Sequence, residues 1–303
     1  MLHRLSAPTD RTAYLLLTLT MLFWAGNFTL GRWASAFVPP FTLTAARWSV
    51  AAAIMLLLAR RHLQHDWPAI RASAPILMLL AVVGSGSFNA LQYMALAHTT
   101  ATSAGIINST SPVMIVLASY VLIGERLSAV RVGGILVSLA GVLVVLSKGT
   151  WAALAGLAFN RGDLILLGAM ALWAVYTALL TRRPAIHGFS FAAVSFAIAA
   201  AINVPIAAIE QALGARAEAS AASLAVIAYT AVFPSVLAYL CFNRGVEIIG
   251  PARAGAFMHL VPLFTAVLAF LFLGEQPGWH HAAGLVLILA GVWLAAGKVS
   301  ASE

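Results

Sequence analysis

Asn27, Asn89, Gln92, Tyr93, Asn108, Tyr176, Tyr239, Asn243 and His259, with the indoles of Trp24 and Trp173, stand inside stretches otherwise built of Leu, Ala, Val, Ile and Gly. Amides and hydroxyls donate and accept hydrogen bonds without a fixed charge, and an indole offers a flat apolar face with one N–H donor. Such a set suits holding a zwitterion or a polar aromatic solute rather than breaking a bond in it. No nucleophile–base–acid arrangement accompanies it, so a membrane-embedded enzyme is not expected. His62 with His65, and His280 with His281, lack a third ligand, so neither a metal nor another cofactor is expected. Gly84-Ser85-Gly86 precedes no strand–helix unit and is not read as a dinucleotide loop.

The acidic residues all lie at the ends of apolar runs, between them, or at a terminus: Asp10, Asp66, Glu125, Asp163, Glu210, Glu218, Glu247, Glu275 and Glu303. A pump for lipophilic cations or a carboxylate proton relay would place one at mid-span. His259 is the one plausible titrating group there, as a proton site or as a simple hydrogen-bonding residue. Arg47 lies several residues inside an apolar run. Snorkelling to the interface is the preferred reading, with carboxylate binding as the sharper alternative. Glu125 and Glu275 follow glycines that end helices and are expected to cap the next helix of their own half.

Helical spacing groups the polar residues into stripes. Ser85, Asn89, Gln92 and Tyr93 share one face, and so do Ser235, Tyr239 and Asn243. Trp24, Asn27, Phe28 and Gly31 form a third, and Trp173, Tyr176, Thr177 and Leu180 a fourth. Pro112, in the sequence INSTSP, frees the carbonyl of Asn108, and Pro262 frees that of Met258. Both are expected to kink a cavity wall and to serve as hinges, a plain packing kink being the alternative.

The elements that carry these stripes must sit in lipid. Hydrophobic residues make up 62% of the 303 and charged residues 9%, with a mean hydropathy of +0.96, against about 25% charged in soluble domains. Apolar runs at 13–33, 41–59, 73–97, 101–123, 131–147, 163–181, 189–209, 222–243, 251–273 and 279–297 predict an all-α integral membrane protein with ten transmembrane helices. Turns are expected at Pro39-Pro40, Trp67-Pro68, Gly124-Glu125, Arg182-Arg183-Pro184, Gly250-Pro251 and Gly274-Glu275. The first run is longer than a signal core and carries Trp24, Asn27 and Arg32, so it reads as an uncleaved span.

The net charge of +8 is not a nucleic-acid signature, because the basic residues punctuate the spans. With the N-terminus inside, twelve of the 17 Lys and Arg residues fall on the inner side, four fall outside (Arg32, Lys148, Arg161 and Arg216), and Arg47 lies within a span. That bias places both termini in the cytoplasm. Cys241 is the one cysteine, so no internal disulfide forms.

Residues 104–142 and 254–292 align at a constant offset of 150, matching Ala104-Gly105, Pro112, Gly124-Glu125, Gly134 and Leu139-Ala140-Gly141-Val142 with their counterparts. Trp24-Ala25 meets Trp173-Ala174 at offset 149. The chain therefore divides into halves, 1–150 and 151–303, of five spans each. An odd number of spans makes them inverted repeats, a mark of secondary transporters with a site between the halves near the midplane.

Two five-span halves, each closing on Gly-Glu and then on Gly with Leu-Ala-Gly-Val, resemble the EamA-type transporters of the drug/metabolite transporter superfamily. The first span, LFWAGNFTLGRWA, is most similar to bacterial amino acid exporters, including the YddG-type exporters of aromatic amino acids. The resemblance implies a bacterial inner-membrane secondary transporter that exports neutral, notably aromatic, amino acids or related metabolites by alternating access. Its partners would be the small-molecule substrate and membrane lipid, with no nucleic acid, in a monomer or weak homodimer. Export of other small metabolites or drugs, and a non-selective aqueous pore, are the alternatives. Small residues in the fifth and tenth spans (Gly134, Ser138, Gly141, Gly284 and Gly291) are expected to support the fourth and ninth spans, dimerisation through them being the alternative.

Overall fold

The computed structural model describes residues 10–124, 129–152, 160–249 and 257–296. Every regular element among them is helical. In lipid the backbone must satisfy its own polar groups, which a helix does within one segment. In chain order the α-helices are α1 (Asp10–Ala34), α2 (Pro40–Ala72), α3 (Ala74–Ala81), α4 (Phe88–Leu96), α5 (Ala101–Asn108), α6 (Ser111–Ile123), α7 (Ala129–Leu146), α8 (Arg161–Leu179), α9 (Gly188–Ala212), α10 (Ala221–Ala231), α11 (Ala238–Ile249), α12 (Leu260–Leu273) and α13 (Trp279–Ala296).

Among the described residues, six stretches are long and apolar enough to cross a membrane: Asp10–Ala34, Pro40–Ala72, Ala74–Leu96, Arg161–Leu179, Gly188–Ala212 and Ala221–Gly245. A seventh arises if α5 and α6, bent by 45°, form one broken span. Val132–Val145, Phe257–Leu273 and Trp279–Gly291 are shorter apolar helices. The chain is thus an all-helical, multi-pass membrane protein.

Two expected features differ. α2 does not turn at Trp67-Pro68 but runs through Pro68 to Ala72. Pro68 sits in an exposed final stretch, where water can serve the carbonyl it strands. The segment around Pro112 is broken rather than kinked. α5 ends at Asn108, and the proline occupies the first turn of α6, where its missing N–H costs nothing. The carbonyl of Asn108 accepts from the Ser111 hydroxyl at 2.6 Å, and that of Ile107 from Thr110 Oγ1 at 2.7 Å. Pro262 likewise lies in the first turn of α12, just after a 3-10 turn over Phe257–His259. The expected turn at Gly250-Pro251, the capping role of Glu125 and both chain termini lie outside the described residues.

Two π-helical turns interrupt the third and eighth runs, Val82–Gly86 between α3 and α4 and Val232–Leu237 between α10 and α11. They begin 150 residues apart, the offset of the sequence repeat. Such turns leave carbonyls for side chains to claim. Ser235 Oγ donates to the Thr230 carbonyl at 2.8 Å, and the buried Asn203 Nδ2 donates to the Gly86 carbonyl at 2.9 Å.

The packing pairs elements of the two sequence halves. α2 lies against α9, α7 against α13, α5 against α12, α1 against α11, and α4 against α8. A Cβ at Gly141 would stand 2.8 Å from the Gly284 carbonyl, and one at Gly291 would stand 2.4 Å from the Ser138 amide. The small faces of α7 and α13 therefore close on each other inside one chain. They do not chiefly support the fourth and ninth runs as expected, and they are not free for a second copy.

Carboxylates fasten several of these pairs at helix starts. Glu210, at the end of α9, accepts from the Phe41 and Thr42 amides at 3.2 and 2.8 Å and from Thr42 Oγ1 at 2.9 Å. Asp66, near the end of α2, accepts from the His187 amide at 2.9 Å, just before α9 begins. Glu275 accepts from the Ala101 and Thr102 amides, both at 2.9 Å, and from Thr102 Oγ1 at 2.8 Å. It was expected to cap the helix that follows it, and it caps α5 instead. The left-handed turn at Gly274 (φ 66°) ends α12 beside the orphan amides of α5, which need an acceptor more than an exposed helix start does.

Candidate functional site

Where the four stripes converge lies a cavity. α1 contributes Trp24, Asn27 and Phe28, α2 Arg47, α4 Phe88, Asn89 and Gln92, α5 Asn108, and α8 Trp173. Pro234 from the second π-helical turn, Tyr239 from α11, and Met258 from the 3-10 turn complete the lining. The lining combines amides with aromatic rings.

The aromatic wall is packed rather than loose. Trp173 stands 5.0 Å from Phe88 and 5.2 Å from Tyr176, ring centre to ring centre. Trp24 lies 5.5 Å from Phe242, and its Nε1 donates to the Pro234 carbonyl at 3.2 Å. That acceptor is presented by the π-helical turn, which fixes one indole with the other half's backbone.

The polar wall is a connected network. Arg47 Nη1 donates to Tyr93 Oη at 2.7 Å and to Asn27 Oδ1 at 3.1 Å, and its Nε donates to Ser235 Oγ at 2.8 Å. Tyr93 Oη donates to Asn27 Oδ1 at 2.6 Å. Gln92 Oε1 accepts from Asn89 Nδ2 at 2.9 Å and Asn27 Nδ2 at 3.4 Å. Four runs of the chain meet at this point, three from the first half and one from the second.

Of the residues singled out from sequence, Trp24, Asn27, Asn89, Gln92, Asn108, Trp173 and Tyr239 line the cavity. Tyr93 and Tyr176 stand behind the wall, the first 2% exposed and tied to Arg47, the second buried against Trp173 and the bare backbone of Gly84. A Cβ at Gly84 would meet the Tyr176 ring at 2.6 Å. His259 is half-buried next to Met258, and its Nδ1 has no hydrogen-bond partner among the described residues. Asn243 is exposed and outside the cavity. It lies about 6 Å along the helix axis from Tyr239, and the spacing rule cannot tell where a stripe leaves a cavity.

Arg47 is the principal correction. It does not snorkel, being 2% exposed and held on three sides. The signal was present in the sequence, since an ionisable residue within a span marks a functional position by default. Asn203, which caps the first π-helical turn, was also missed, and so were Phe88, Pro234 and Met258 as lining residues.

The chain matches the EamA-like transporter family twice, over residues 11–147 and 160–297. An uncharacterized transporter of Archaeoglobus fulgidus is 30% identical over 292 residues, covering 94% of this chain and 97% of the relative. A probable terminal-alkyne amino-acid exporter of Streptantibioticus cattleyicolor is 26% identical over 286 residues, covering 91% and 93%. A solved crystal structure, 21% identical, superposes with a TM-score of 0.62 over 95% of this chain and 97% of the other, a likeness of fold alone. With two matches that between them span nearly all of its length, the chain belongs to the EamA-like transporter family, and it is a membrane transporter of small molecules rather than an enzyme.

Proposed function

We propose that this chain exports neutral amino acids, aromatic ones among them, or closely related metabolites across a bacterial inner membrane by alternating access. In this reading the runs form ten spans, in two inverted halves (1–150 and 151–303) with both termini in the cytoplasm. The observation that carries it is the cavity. Amides from α1, α4 and α5 and the indoles of Trp24 and Trp173 line one cavity, a few placed polar groups among apolar rings, as a small-solute site has. Its lining takes residues from both halves, as a site between inverted repeats requires. The Streptantibioticus relative, named as a probable amino-acid exporter, supports the substrate class.

Apart from Arg47, the lining offers uncharged contacts, which suit a carrier that must release what it binds. Counterflow of a labelled amino acid panel in proteoliposomes, with and without a pH gradient, tests the reading. Saturation and stimulation by substrate on the far side are expected, whereas linear flux of many unrelated solutes would establish a pore. Sidedness is checked in a Cys241→Ala background with Gln64→Cys and Gln276→Cys. An impermeant thiol reagent should label the second in intact cells and not the first.

A further inference from the structure

Arg47 presents a full charge at the cavity wall, and its hydrogen-bond partners among the described residues are an amide oxygen, a phenol and an alcohol. The indole of Trp48 lies 4.7 Å and the ring of Tyr93 5.8 Å from the guanidinium carbon. Among the described residues that line the cavity there is no carboxylate. A guanidinium has more N–H donors than three neutral oxygens satisfy, and a buried charge without a counter-ion is costly to keep. The position is deep. Arg47 is seven residues past the start of α2 at Pro40, about 10 Å along the axis, and buried to 98%, being 2% exposed. The helix could place a leucine there at no such cost.

What the cavity lacks, a solute can bring. We propose that Arg47 is the anion anchor of the cavity. It binds the carboxylate of the transported solute, so the substrates are monocarboxylates, zwitterionic amino acids included, recognised by the carboxylate more than by the amino group. This rests on the cavity's being the substrate site. A guanidinium fork matches a carboxylate in plane and spacing. The amino group meets weaker partners, the oxygens of Asn89, Gln92 and Asn108 and the faces of Trp24 and Trp173.

Tyr93, Asn27 and Ser235 hold the guanidinium. Because Ser235 belongs to the second half and the others to the first, a carboxylate that draws Nε away from Ser235 also loosens a contact between the halves. The occupied and empty cavities thereby differ in how firmly the halves are joined.

The experiment measures binding to the full-length purified protein by ligand-induced thermal stabilisation, and transport by competition against labelled phenylalanine in proteoliposomes. The probes are phenylalanine, 3-phenylpropionate, which lacks the amino group, and phenethylamine, which lacks the carboxylate. Phenylpropionate should bind within about tenfold of phenylalanine, and phenethylamine about 30-fold or more weaker. Arg47→Gln should cost both acids about 30-fold and leave the amine unchanged. Arg47→Lys, which keeps the charge and loses the fork, should cost about tenfold. Tyr93→Phe removes a competitor for Nη1 and should tighten acid binding severalfold.

Equal binding of amine and acid by the wild type, normal acid binding by both Arg47 variants, or failure of every acid to bind would overturn the anchor. If phenylalanine is moved and the Arg47 variants bind it normally, the anchor fails and the exporter reading stands. If phenylalanine is not moved but phenylpropionate binds through Arg47, the anchor stands and the amino acid reading fails. Should both Arg47 variants fail to insert, the acid-against-amine preference of the wild type and the Tyr93→Phe shift decide.

Discussion

Replacing Glu275 with Ala removes an acceptor from three donors at once, the amides of Ala101 and Thr102 and the Thr102 hydroxyl, at 2.8–2.9 Å. Ala101 is 0% and Thr102 2% exposed, so water cannot readily take the carboxylate's place. Each buried amide left without a partner costs about 1–3 kcal/mol, and loss of a helix cap costs about 1 kcal/mol. These overlap, and the net destabilisation is about 2–4 kcal/mol. Glu275→Gln keeps one acceptor oxygen and should cost about half as much. On the scaling of globular proteins the Ala variant should melt roughly 3–6 °C lower. Hydrogen exchange locates the effect. Amides 101–105, at the start of α5, should lose protection, while those of 280–284 at the start of α13 should not. If α13 loosens and α5 does not, or if the melting temperature moves by less than about 1 °C, the cap assignment is wrong.

Trp173→Ala and Asn89→Ala should each lower transport at least about tenfold at matched membrane abundance, since one removes an aromatic wall and the other an amide of the polar network, while Val286→Ala, 66% exposed, should transport normally. Gly284→Ala should destabilise the chain by about 1–3 kcal/mol, read by thermal unfolding, because its Cβ would stand 2.3 Å from Val145 and 2.9 Å from the Gly141 carbonyl. The Ser190 hydroxyl, the His65 ring and the His187 amide hold the Asp66 carboxyl at about 2, below its ordinary 3.8. A depressed carboxyl stabilises the fold above its unfolded value and ceases to as pH falls through its folded one. The difference in unfolding midpoint between wild type and Asp66→Asn should therefore be flat above pH 5 and shrink from about pH 4 towards pH 2.

Periodicity located most of the cavity because a stripe of Asn and Trp in an apolar helix has few other uses. Trp24, Asn27, Asn89, Gln92, Asn108, Trp173 and Tyr239 all reach it. The count of apolar runs and the offset of 150 were also legible, and the π-helical turns at Val82 and Val232 begin at that same offset. What escaped depends on long-range geometry. The depth of Arg47 depends on Asn27, Tyr93 and Ser235, separated from it by 20, 46 and 188 positions, and no local window contains them. The partner of Glu275 lies 173–174 positions upstream, so the nearest helix start was the wrong choice. Pro68 and Pro112 misled for one reason. A proline marks where a helix loses a bond, and whether the helix stops, breaks or runs on depends on what else can serve the stranded carbonyl.

The carboxylate caps have a consequence for any attempt to cut the polypeptide in two. Asp66 of the first half finishes the start of α9 in the second, while Glu210 and Glu275 of the second finish the starts of α2 and α5 in the first. Each fragment made alone would expose helix beginnings whose acceptors are encoded on the other. Two genes carrying the halves should yield stable protein when translated together and degraded fragments when translated apart.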